Sequence, residues 1–139
     1  MSIQSQTPPR PTGYLLLFRS TNWSEDISGN EIRDVMDRVN AWFEGLSATG
    51  KLVAAQPLLE DAVVVSGKGG RSVIDGPFAE AKEAVGGYVL LSVDSMEEAV
   101  EIAKSNPMND YGVITEVRVT ADNCPHIFQA LTRLAEMAT

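Results

Sequence analysis

Nine consecutive residues, Asp75-Gly76-Pro77-Phe78-Ala79-Glu80-Ala81-Lys82-Glu83, carry four ionisable side chains and are closed by Gly86-Gly87. Acids and an amine gathered beside apolar segments can line a pocket for a small polar molecule. A carboxylate desolvated in such a place can take up a proton near neutral pH, which would make Asp75 a general base. The same residues also read as a solvated turn: Asp accepts from backbone N–H groups a few residues on, and Pro pre-sets φ. Ala79 to Glu83 would then make one helical turn with its charges in water. Residue chemistry alone leans to the turn.

Arg19 follows the apolar run Tyr14-Leu-Leu-Leu-Phe18, and Glu116 and Arg118 stand two residues apart in another extended stretch. If the two runs are neighbouring strands, three charges meet on one sheet face. They then form either an ion-pair network holding strand ends or a subunit contact, or a carboxylate site gripped by the guanidinium forks of Arg19 and Arg118. Cys124-Pro125-His126 holds the only cysteine and the only histidine. A thiol at a helix start can be activated, but two ligands fall short of a zinc site. The segment reads as a helix start with a partly buried thiol, and no metal or cofactor is expected. Gly67-Lys68-Gly69-Gly70-Arg71-Ser72 is a turn, not a phosphate loop, because Lys68 is not followed by Ser or Thr.

These residues need a scaffold, and the hydrophobic periods supply one. Tyr14–Phe18 is apolar on both pleat faces, the mark of a strand covered on both sides. Ile32, Val35, Met36, Val39, Trp42, Phe43 and Leu46 recur at three- and four-residue spacings, an amphipathic helix that Gly50 ends. Leu52–Ala55 reads as a second strand before Pro57. Ala62–Val65 and Arg71–Ile74 flank a Gly-rich turn, a hairpin signal. Gly87–Val93 is a further strand. Ser95 and Glu98 have the spacing of a capping box for a helix with Met96, Ala99, Val100 and Ala103 inward, ended by Asn106-Pro107. Tyr111–Val119 is the last strand. Asp122-Asn123-Cys124-Pro125 opens a terminal helix with Ile127, Leu131 and Leu134 on one face.

With the hairpin set aside, the order is β-α-β followed by β-α-β, the split βαβ arrangement of a ferredoxin-like α+β domain. Such an antiparallel sheet has helices on one face only. The two-sided apolar strands therefore call for a cover on the other, and a second copy of the chain, in a face-to-face homodimer, is the expected one. The expected organisation is a flexible arm over residues 1–12, rich in Pro8, Pro9 and Pro11, a domain over 13–120, and a C-terminal helix extension over 121–139 that packs on its own or the partner subunit.

Lys and Arg number 11 and Asp and Glu 19 among 139 residues, a formal net charge of -8. That balance argues against nucleic acid or an anionic membrane as partner. One cysteine excludes an intrachain disulfide framework. No apolar run is long enough to span a bilayer, and the first residues lack the pattern of a signal peptide, so a cytoplasmic location is expected.

The stretch Asp75 to Glu83 resembles the DGPFAE-x-KE signature of the DGPF proteins, a branch of the YCII-related family. Gly86-Gly87-Tyr88, Glu98-Ala99, Asn106-Pro107, Tyr111-Gly112 and Glu116-Val117-Arg118 fall in that family's order, so the resemblance covers roughly residues 13–120. It implies a ferredoxin-like fold paired into a dimeric α/β barrel. Some YCII-type relatives look like lyases or isomerases that use a His–Asp pair, but the first helix here has no histidine, and Asn106 stands where such members often have Asp. Family members also often lie beside genes for extracytoplasmic-function sigma factors, so the resemblance permits a regulatory link to a sigma factor.

Three functions follow as expectations. The first is a binding or regulatory protein in which Arg19, Asp75, Glu80, Lys82, Glu83 and Arg118 orient a small polar or anionic molecule beside the DGPF loop. The second is an acid–base enzyme, of lyase or isomerase type, on a small organic acid, with Asp75 as base and an arginine holding the developing anion. The third is a structural or interaction role alone. The missing imidazole moves the balance from enzyme to binding.

Overall fold

The computed structural model describes residues 7–19, 23–76 and 85–138. Its frame is a four-stranded sheet of β1 (Pro11–Arg19), β2 (Leu52–Pro57), β5 (Val85–Leu91) and β6 (Ile114–Ala121), in the order β2-β5-β1-β6. Every neighbouring pair is antiparallel. Helices α1 (Gly29–Ala48) and α2 (Met96–Lys104) supply the two crossovers. This is a mixed α+β fold with the strand order of the ferredoxin-like arrangement. Between β2 and β5 in the sequence, β3 (Ala62–Ser66) and β4 (Ser72–Gly76) pair with each other as a separate two-stranded ladder. Helix α3 (Pro125–Met137) follows β6.

The period of two decides which residues meet the helices. Tyr14 and Leu16 of β1 and Val89 and Leu91 of β5 turn inward and are buried with Leu46 of α1 and Ala99, Ile102 and Ala103 of α2. Phe18 and Trp42 meet edge-on, ring centroids 6.3 Å apart, and Trp42 Nε1 donates to Ser105 Oγ at 2.8 Å. Of the expected α1 stripe, Val35, Val39 and Leu46 are buried and Met36 stays exposed.

The ends of the elements follow local chemistry. Ser28 Oγ accepts from Glu31 N at the start of α1, and Ser95 Oγ accepts from Glu98 N at the start of α2. The Glu98 carboxylate pairs with Lys51 Nζ at 3.1 Å, so α2 is tied to the start of β2 as well as capped. The turn between β3 and β4 uses Gly67, Gly69 and Gly70 at φ of 83°, 70° and 67°, backbone that only glycine adopts cheaply.

Three boundaries differ from the sequence reading. β1 begins at Pro11, because Thr12 and Thr120 share a hydroxyl hydrogen bond of 2.9 Å and Asp122 exchanges two bonds with the Arg10 backbone. β2 runs on to Pro57. Tyr111 does not belong to β6: Asn106 caps a 3-10 turn over Pro107–Tyr111, and Gly112 at φ 93° ends it.

Candidate functional site

The register of β1 and β6 sets Leu17 opposite Glu116 and Arg19 opposite Ile114. Arg19 is therefore diagonal to Glu116, close enough for a long side chain. Arg19 Nη2 meets Glu116 Oε1 at 2.6 Å, and Arg118 Nη1 meets Glu116 Oε2 at 3.2 Å. Each carboxylate oxygen thus takes a different guanidinium. Arg19 and Glu116 are only 31% and 26% exposed at their side chains, whereas Arg118 is 66% exposed.

The cluster lies on the sheet face away from the helices. Leu15 and Leu17 of β1 and Tyr88 and Leu90 of β5 share that face and are half-buried. Val85, the first residue of β5, is the partner of Arg19 across the β1–β5 ladder. The chain therefore enters β5 beside the Arg19 backbone. Gly87 makes that entry possible, since a Cβ there would stand 3.0 Å from Gln56 O and 3.3 Å from Pro57 Cα.

Of the other candidates, Glu80, Lys82 and Glu83 lie outside the described residues. Asp75 does not sit in a turn. It is a β4 residue opposite Val63, because pairing with β3 continues to Ala62 and Gly76. Gly76 is needed there for close approach, a Cβ meeting Val64 Cγ2 at 3.2 Å. Asp75 is exposed and, with Asp61, Ala62, Val63 and Gly76, lines an open concavity of about 390 Å³. The single chain does not give Asp75 the burial that the acid–base reading asks of it.

Asn106 is absorbed by the fold. It is 4% exposed, its Oδ1 accepts from Met108 N, and its Nδ2 donates to Thr115 Oγ1 at 3.1 Å. Thr115 Oγ1 donates in turn to Asn109 Oδ1, and Asn109 Nδ2 donates to Ala103 O. An amide suits this position because it must both give and accept.

One charged group escaped sequence reasoning. Arg38 of α1 reaches Asp34 at 3.1 Å and Asp110 at 3.5 Å and donates to the Tyr111 hydroxyl, against which Trp23 is tilted. Desolvation lowers its affinity for the proton, but Asp34, Tyr111 and Asp110 outweigh that and hold Arg38 above its ordinary value. Only the Asp34–Arg38 spacing was visible in the sequence. The group straps α1 to the 3-10 turn. Cys124 is half-buried at the start of α3. Among the described residues no group of three or more His, Cys, Asp or Glu could hold a metal ion, and no helix is long and apolar enough to cross a membrane.

The described residues thus form an antiparallel sheet with helices on one face and a small charged cluster on the other. The chain matches the YCII-related domain over residues 13–123, and it belongs to the YCII-related family. Among solved structures it is similar to the 5-chloro-2-hydroxyhydroquinone dehydrochlorinase (TftG) from Burkholderia phenoliruptrix AC1100, in complex with 2,5-dihydroxybenzoquinone. The two are 19% identical with a TM-score of 0.40, covering 76% of this chain and 90% of that one. At that level nothing of the dehydrochlorinase's chemistry carries over. No curated protein matches the chain.

Proposed function

We propose that this chain, a DGPF-branch member of its family, binds a small organic anion on the outer face of its sheet, with Arg19 and Arg118 as the cationic anchors. The observation that carries the reading is the Arg19–Glu116–Arg118 cluster at the point where the DGPF stretch rejoins the sheet. Glu116 engages both guanidinia, and the exposed fork of Arg118 can face a second carboxylate. Half-buried Leu15, Leu17, Tyr88 and Leu90 provide an apolar floor for the rest of such a molecule. In this reading a second copy of the chain covers the outer face, pairing two ferredoxin-like units, each with β3 and β4 as an inserted hairpin, into a barrel. Binding without turnover suits a regulatory protein.

The test is titration calorimetry with succinate, benzoate and inorganic phosphate, on the wild type and on Arg118→Ala. Because Arg118 is exposed, its removal spares the fold, and carboxylate affinity is expected to fall at least tenfold. Absence of saturable carboxylate binding, or equal affinity in the variant, overturns the proposal.

A further inference from the structure

We propose that α3 of one copy lies across the bare face of the β3–β4 ladder of a second copy, so that two copies exchange their C-terminal helices. The inference rests on the second copy in the reading above and not on its ligand.

Two apolar surfaces of this chain are left largely exposed, one face of the ladder and the C-terminal half of α3. The ladder turns Val63, Val65 and Val73 to one side with Asp75, and the three valines keep 61%, 61% and 63% of their surface exposed. No residue of β3 or β4 is buried. A two-stranded ladder of this kind is marginal in water and needs a helix or more strands against it. Helix α3 carries Ile127, Leu131 and Leu134 along one stripe; Ile127 and Leu131 are half-buried, while Leu134 and Met137 beyond them keep 64% and 76% of their surface exposed. The two surfaces fit in size. Thirteen helical residues make a rod about 20 Å long and 10 Å across. Two paired strands of five residues make a bed about 17 Å long and 10 Å wide.

Topology roots a chain's own helix and its own ladder at opposite corners of the sheet. β6 ends where Ala121 pairs with Pro11, at the start of β1 and on one edge of the sheet. The ladder departs after Pro57, which pairs with Gly87 and through it lies level with Phe18, at the other end of β1 and on the opposite edge. The two roots are diagonal corners, separated along the strands by the span from Pro11 to Phe18, about 23 Å, and across them by three strand spacings, about 14 Å. The root of α3 is also pinned: Asp122 is bonded to the Arg10 backbone in both directions, and buried Asn123 donates to Thr7 O at 3.0 Å.

Stacking two outer faces about a twofold axis along the other diagonal brings the α3 corner of each copy to the ladder corner of its mate. Each copy then gives one helix and receives one, and the assembly closes at two. Val63, Val65, Val73, Leu134 and Met137, 61–76% exposed, would bury on the order of 600 Å² over both exchanges if each contributes about 60 Å². A stable interface takes about 1,200 Å² or more, so the exchange adds to contact between the sheet faces and does not replace it. It also lays the partner's helix beside Asp75 and the Arg19 end of β1, closing a site that one chain leaves open.

The experiment uses full-length chains in a Cys124→Ser background. Val73→Cys is made in one preparation and Leu134→Cys in another with a size tag, and the two are mixed and mildly oxidised. A disulfide of mixed mass can form only between chains, and it is the expected product. A Val73→Cys/Leu134→Cys double variant that closes within one chain, or a dimer by light scattering that yields no mixed disulfide, overturns the exchange alone. A monomer by light scattering at micromolar concentration overturns the exchange and the second copy together. Leu134→Asp/Met137→Asp, at positions exposed in the single chain, is expected to weaken dimerisation at least tenfold while leaving the circular dichroism unchanged.

Discussion

The four-stranded sheet and the β3–β4 ladder are made of the same kinds of residue and end in opposite conditions. Leu16, Val89 and Leu91 are 0–1% exposed, while Val63, Val65 and Val73 remain 61–63% exposed. Hydrophobicity does not separate them. The sheet strands are followed or preceded by α1 and α2, whose apolar stripes lie on the inner face, and the core closes within one chain. The ladder sits between β2 and β5 in the sequence with no α-helix of its own among the described residues. A strand's apolar face is a demand for a cover, and only the surroundings decide whether the same chain meets it.

The comparison is broken most forcefully in the sheet. Leu16→Ala removes a fully buried side chain and is expected to cost about 2–5 kcal/mol in urea unfolding, at any protein concentration. A loss below about 1 kcal/mol would mean that the core is not where Leu16 lies. Asn106→Asp tests the rim of the same core. It replaces the amide that donates to Thr115 with an acceptor, and the expected loss is about 1–3 kcal/mol. An unchanged midpoint would leave the Asn106–Thr115–Asn109 chain without a role. Val65→Ala should do the least in dilute solution, within about 0.5 kcal/mol, because its side chain is already largely in water. Its effect should grow with protein concentration as the ladder becomes covered. Melting curves across a hundredfold range of concentration check this, and a shift that ignores concentration would place the ladder's cover within the chain.

Much of the frame was legible. The three- and four-residue spacing from Ile32 to Leu46 located α1, and the Ser95–Glu98 spacing located the start of α2. Those signals are local, set by neighbours within one turn. Arg19, Glu116 and Arg118 were also recognisable as candidates, since a charge ending an apolar strand is conspicuous. Less was legible where distant segments compete for a residue. Asp75-Gly76 has the chemistry of a turn, and in isolation the turn is its cheapest conformation. Ala62 and Val63 offer it a partner strand, and the ladder prevails. Tyr111 looked like the start of a strand until the Asn106 cap and Gly112 drew it into a 3-10 turn. Asp110 and Tyr111 on Arg38 could not be foreseen, because they are far from α1 in sequence.

Side-chain period and caps are properties of a short window, so the order of strands and helices and the acidic composition were written in the residues themselves. Which guanidinium meets which carboxylate depends on the register of β1 against β6, where a slip of one residue would turn Arg19 to the core. The entry of β5 beside Arg19, and the separation of α3 from the ladder at opposite corners, depend on the strand order. Those are relations between segments far apart in the chain, and tertiary packing alone chose among the pairings that local chemistry allowed.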